Sequence, residues 1–239
     1  MKPNANSESW TAPARRLDLK QFISVAAFVF TLGALVTPGF AADVTVVHGI
    51  PGDGGLPVDV RFGGDCVLAD VPFTAIGGPL SIDVDFYPVE VLLADAGADC
   101  QGVRVIRSFA PVTLDESTTV VAHLTTAASF TLSQFPDDLR NPGSDTRVVV
   151  RHTADAPKVD VWVRPVGGEA SPLFTDLANG FQEQAIVAPG DYDVGLAPAG
   201  ELAFAFGPVT LGLSAGTTNF VYAVGSLSEG TFDLIVETR

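Results

Sequence analysis

Two histidines stand in matching surroundings. His48 closes Val46-Val47-His48 and is followed by Pro57-Val58-Asp59-Val60, while His152 closes Val150-Arg151-His152 and is followed by Pro157-Lys158-Val159-Asp160-Val161. An imidazole with a carboxylate eleven or eight positions on is a pair from which a Zn²⁺ site or an acid–base couple could be built. The alternative is a ring that fixes its loop by hydrogen bonding to backbone. One His and one Asp fall short of the three protein ligands of a catalytic zinc, which favours the structural role. His123, the third histidine, is matched by Tyr222 in the repeated sequence, and a position that takes either residue behaves as an amphipathic packing site. Nucleophilic catalysis needs a Ser or Cys with a base held by a third group. The chain has no Gly-x-Ser-x-Gly elbow, phosphate loop or His-Glu-x-x-His to provide such a set. No catalytic residue, metal ligand or cofactor is therefore assigned, and the chain is expected not to be an enzyme.

Other candidate groups read as structural. Asp53, Asp95 with Asp99, and Asp137-Asp138 could offer oxygen to Ca²⁺, but none has the spacing of a defined calcium loop, so a solvated acidic surface is expected. Trp162, Tyr192, Phe204, Phe206 and Phe220 could line a groove, yet strands bury such residues routinely. Cys66 and Cys100 are the two cysteines of the chain, and in an exported protein the expectation is a disulfide between them. By sequence Ala170 takes the place of Cys66 in the second copy.

The elements that must position these residues are themselves repeated. The His-to-Asp-Val segment recurs about 100 residues apart, a domain-sized period. Gly63-Gly64-Asp65 returns as Gly167-Gly168-Glu169, Val91 to Ala94 as Val194 to Ala197, and Leu114 with Thr118-Thr119 as Leu213 with Thr217-Thr218. Short runs of Val, Ile, Thr and Phe between Gly, Pro, Asp and Asn read as seven strands per copy, without a helical period. Pro189-Gly190 before Tyr192 predicts a hairpin. The expected fold is all-β: two tandem antiparallel β-sandwich domains, Ig-like or transthyretin-like, at 42–135 and 146–239, joined by a linker at 136–145.

The N-terminus reads as an export signal. Arg15, Arg16 and Lys20 precede an apolar run from Phe22 to Val36 and then small residues, which predicts a signal peptide over 1–41 cleaved after Ala41. The route is Sec or, from Arg15-Arg16, twin-arginine. The run is too short for a bilayer span, so the mature chain is expected to lack one and to be secreted, periplasmic or extracellular. The full chain carries a net charge of −15, and residues 1–41 hold four basic and two acidic residues, leaving −17 for the remainder. Such a surface repels phosphate backbones, which excludes nucleic acid as a partner.

The motifs have a family likeness. His152, Ala156 to Val161, Pro189-Gly190-Asp191-Tyr192 and Leu213 to Thr217 resemble the bacterial secreted proteins that share the domain of unknown function 4397. The second copy carries the fuller match; the first departs from it at Gly49 to Leu56, Phe86-Tyr87-Pro88 and Ser117. The resemblance implies an exported β-sandwich-like module, often in tandem, with no established activity. Together these readings predict an exported, non-enzymatic binding or adhesion module whose partner is an extracellular protein or polysaccharide. The alternatives are a metal-dependent hydrolase centred on His48 or His152 and a passive structural component of an envelope or matrix.

Overall fold

A computed structural model describes residues 41–239, apart from 53–55, 84, 96, 98, 112–116 and 202–203. The expected signal segment lies outside the described residues up to position 40, and Ala41 opens the first strand. The first half contains β1 (Ala41–His48), β2 (Val58–Phe62), β3 (Asp65–Val71), β4 (Ile76–Asp83), β5 (Phe86–Leu93), β6 (Arg104–Pro111), β7 (Ser117–Leu124) and β8 (Phe130–Asp137). The second contains β9 (Thr146–His152), β10 (Val159–Pro165), β11 (Ser171–Leu177), β12 (Phe181–Val187), β13 (Gly190–Pro198), β14 (Phe206–Leu213), β15 (Thr218–Val224) and β16 (Asp233–Thr238).

The two halves repeat one topology. The first has sheets ordered β4-β1-β7-β8 and β3-β2-β5-β6, and the second has β12-β9-β15-β16 and β11-β10-β13-β14. Even the parallel pair recurs, with His48 opposite Ala122 and His152 opposite Ala223. Each half closes its own core between its two sheets. Val44, Val46, Val60, Val89 and Val120 fill the first, and Val148, Val150, Val161, Val194, Leu196 and Val221 the second.

Register and topology correct four readings. With the histidines aligned, Thr118 corresponds to Asn219, Val121 to Tyr222 and His123 to Val224, so the sequence alignment slipped by two. An even slip leaves the side-chain alternation of a strand unchanged, and the hydrophobic pattern cannot detect it. For the same reason Pro172, and not Ala170, occupies the position of Cys66, since Arg61 pairs with Cys66 and Trp162 with Pro172. Each half also has an eighth strand that the sequence reading missed, β3 and β11. The Pro189-Gly190 turn joins β12 of one sheet to β13 of another, so it is a corner between layers and not a hairpin.

The alternate faces of β1, β7, β9 and β15 do not meet solvent. Val47, Val121 and Phe135 of the first half pack with Val149, Phe220, Tyr222 and Val224 of the second in a shared core. Strands covered on both faces read as near-continuous apolar runs, which is how Val148-Val149-Val150 and Phe220 to Val224 appear. At one crossing point the backbones touch, with Gly225 N donating to Gly49 O at 3.1 Å. A Cβ on Gly49 would lie 3.0 Å from Val224 Cγ1 and 3.1 Å from Ala122 O, so glycine is what permits this approach. Residues 136–145, expected as a linker, begin with the end of β8, and Asp137 there is buried.

Candidate functional site

The histidines and aspartates that opened the sequence reading hold separate structural posts. Asp59, in β2 among buried valines, accepts from the backbone N–H of Asp70 at 2.9 Å and of Cys100 at 2.6 Å. Asp160 does the same in the second half, accepting from Asp176 N and Gly200 N, both at 2.9 Å. Asp70 and Asp176 have φ of 53° and 59°, a left-handed conformation that the carboxylate stabilises from across the strand pair. An acid between two valines in a strand is the sequence signal for such a backbone staple. Both oxygens of each carboxylate are thus engaged by main chain.

The imidazoles face elsewhere. Buried His48 accepts weakly from Ile50 N at 3.5 Å and stands edge-on to Phe73. Burial pushes its pKa down to about 4, with the backbone of Leu56 opposing the shift. His152 Nε2 bonds to Pro157 O at 2.9 Å, closing the loop after β9, and its Nδ1 is buried without a partner. Burial lowers this pKa and that of His123; His123 bonds to Leu124 O and Ser133 Oγ. Among the described residues no hydrogen bond joins His48 to Asp59 or His152 to Asp160, and no three of His, Cys, Asp and Glu gather as a metal-binding group. Cys66 and Cys100 form the expected disulfide, with Cα atoms 5.8 Å apart and a sequence separation of 34.

A site that sequence reasoning missed lies where the halves meet. Arg151, which follows the valine run of β9, is fully buried and has its guanidinium over the rings of Phe135, Phe220 and Tyr222 at 4.7 to 5.3 Å. It donates to Asp137 Oδ1 at 2.5 Å, to Gln182 Oε1 at 2.9 Å and to Tyr222 OH at 3.0 Å. Asp137 also accepts from Thr119 Oγ1 at 2.9 Å and from Arg239 Nη1 at 2.6 Å. Arg239 lies over Phe220 and donates to Glu237 at 2.7 and 2.8 Å. Burial raises the Tyr222 pKa to about 12, against the pull of Arg151, so its hydroxyl stays protonated and donates to Glu237 Oε2 at 3.2 Å. Every buried charge here has a partner, the condition under which burial is tolerable.

Above this network opens a cleft of about 790 Å³ lined by Ser117, Asp137, Asp138, Leu139, Arg140, Gln182 and Gln184, with Pro136. The first half and the junction supply one wall and β12 the other. Arg140 binds Asp138 at 2.8 and 2.9 Å and holds its pKa down to about 2, while Arg147 ties the carbonyls of Asp138 and Arg140 to the second half. The charges are compensated within the protein. What faces the cleft is chiefly amide, hydroxyl and already-paired carboxylate, suited to hydrogen bonding with a polar ligand.

Comparison with known proteins bears on the family. The model of the domain of unknown function DUF4397 matches residues 42–162. The chain belongs to this family. The match takes in the first half and runs through β9 into β10, ending at Trp162. Among curated proteins none matches the chain. Of solved structures, the Bacillus anthracis TIE protein is similar at 11% identity and a TM-score of 0.26, over 77% of this chain and 34% of that one. This chain thus spans about a third of that protein's length. A candidate cell adhesion protein from Bacteroides fragilis is similar at 9% identity and a TM-score of 0.23, over 83% of this chain and 97% of that one. Among the described residues no helix is long and apolar enough to cross a membrane.

Proposed function

We propose that this DUF4397 protein is an exported, non-enzymatic binding or adhesion module of the cell surface or extracellular matrix, with a protein or polysaccharide partner. The cleft at the junction carries this reading. Its walls come from both halves, its charges are internally paired, and Gln184 lines it beside Gln182 and Ser117, which the frame holds in place through Arg151, Pro136 and Asp137. Side chains already held by internal hydrogen bonds lose little further order on binding. The Cys66–Cys100 bridge is compatible with an extracellular or periplasmic setting.

The test is binding of the exported full-length product, purified under oxidising conditions, to arrays of matrix polysaccharides and surface proteins. Retention of at least one ligand, weakened tenfold or more by Gln182→Ala with Gln184→Ala, is the expected result. A folded protein that retains no ligand, or one whose ligand ignores both substitutions, overturns the proposal.

A further inference from the structure

The cations of this acidic chain are unevenly placed. Nine Lys and Arg follow residue 41, and three of them, Arg61, Arg104 and Arg107, converge on one acid, Glu90, at 3.7, 2.6 and 3.6 Å. At the junction, by contrast, Arg140, Arg147, Arg151 and Arg239 meet Asp137, Asp138 and Glu237, and Arg164 has Asp193 to itself. Among the ion pairs of the described residues, the group around Glu90 thus has the largest surplus of cations over acids. It lies on the outward face of β2, β5 and β6, where Arg61 pairs with Glu90 and Glu90 with Arg107. Arg104 and Arg107 are 50% and 52% exposed while Glu90 is 13% exposed, so the acid is sunk beneath cations that face solvent.

Beside them the same face displays two bare aromatic rings. Phe86 and Phe109 are 59% and 55% exposed and stack in parallel, 5.3 Å between centroids and 3° between planes. The Arg107 guanidinium stands 5.7 Å from the Phe109 centroid, making one continuous surface of cation and ring. Adjacent exposed Phe side chains are costly unless something covers them. Arg61 donates to Cys100 O, so the disulfide that is peculiar to this half braces the inner edge of the patch. The second half has Trp162 and Gly195 at the positions of Arg61 and Glu90, and among its described residues no three arginines converge on one acid.

We infer that this face is a second binding site, distinct from the junction cleft, and that it takes a carboxylate-bearing saccharide such as a uronate chain. Exposed guanidinium groups match a carboxylate in geometry and charge. Aromatic faces cover the apolar C–H face of a sugar ring. Asp85, which accepts from Phe86 N at 2.7 Å, limits the cationic zone at the Phe86 end to a short stretch of ligand. Nucleic acid does not fit, because it needs a longer row of cations along successive phosphates.

The probe is oligogalacturonate, titrated calorimetrically into the exported full-length product, with its methyl ester as the uncharged control. The acid form is expected to bind at least tenfold more tightly than the ester, and tenfold or more weaker in both Arg107→Gln and Phe109→Ser. The cleft variant Gln182→Ala is expected to bind it as wild type does. Equal affinity for acid and ester, no effect of the two patch substitutions, or loss of uronate binding in Gln182→Ala each overturns the inference. Self-association by sedimentation that disappears in Phe109→Ser also overturns it, since a second copy then covers the rings. A failure confined to the patch leaves any array ligand of the cleft untouched, so the two proposals fail separately.

Discussion

Mild acid should loosen this protein, and His48 sets the scale. Its folded-state pKa of about 4 against 6.5 in the open chain means that the unfolded state takes up a proton below pH 6.5 which the folded state refuses. Stability therefore falls as pH falls through 6.5, and the loss levels off near pH 4. At about 1.4 kcal/mol per pH unit, His48 alone removes about 2 kcal/mol at pH 5 and about 3 kcal/mol below pH 4. Burial lowers His123 and His152 in the same direction, which deepens the effect. Urea unfolding of wild type and His48→Gln at pH 7 and pH 5 isolates the term. The variant, which carries no proton to gain, should lose about 2 kcal/mol less than wild type over that interval. Identical losses in the two proteins would refute the reasoning, because they would mean that His48 is as easily protonated inside the fold as outside it.

Other perturbations address the remaining framework. Asp137→Ala leaves buried Arg151 and half-buried Arg239 without their shared carboxylate and should cost about 3–5 kcal/mol in chemical unfolding, whereas adding Arg151→Met should recover much of that. Replacing both Cys66 and Cys100 by Ala reopens a 34-residue loop; the expected loss is about 4 kcal/mol on the chain-entropy estimate, and reduction of wild type should match it. Asp160→Ala removes the acceptor for the N–H groups of Asp176 and Gly200 and should cost about 1–3 kcal/mol. Faster hydrogen exchange at those two amides is the accompanying sign.

The sequence displayed the duplication, the strand-rich character and the disulfide, because each leaves a local mark: a repeated Val-His and Val-Asp-Val, alternation between turn formers, and two cysteines in one half. It did not display β3 and β11, which sit at sheet edges and are interrupted by register shifts and by the positive φ of Asp70 and Asp176, so their alternation is broken. The junction site was hidden for a different reason. Asp137 and Asp138 stand in a stretch rich in turn formers, where acids are normally solvated, and nothing local says that Arg151 and Arg239 will be brought to them from 14 and 102 positions away. The one available sign was the pair Arg147 and Arg151, charges at either end of the Val148-Val149-Val150 run in β9. His48 and His152 were correctly singled out as equivalent, but spacing alone could not tell that main chain would claim both oxygens of Asp59 and Asp160.

Asp137 and Arg239 occupy corresponding places in the two halves, since Ser117 faces Asp137 as Thr218 faces Arg239. Two copies of the first half meeting in this manner would set acid against acid, and two copies of the second would set guanidinium against guanidinium. The two contact faces of the tandem are therefore complementary in charge and not alike, so severing the halves would leave two unlike surfaces rather than two interchangeable building blocks.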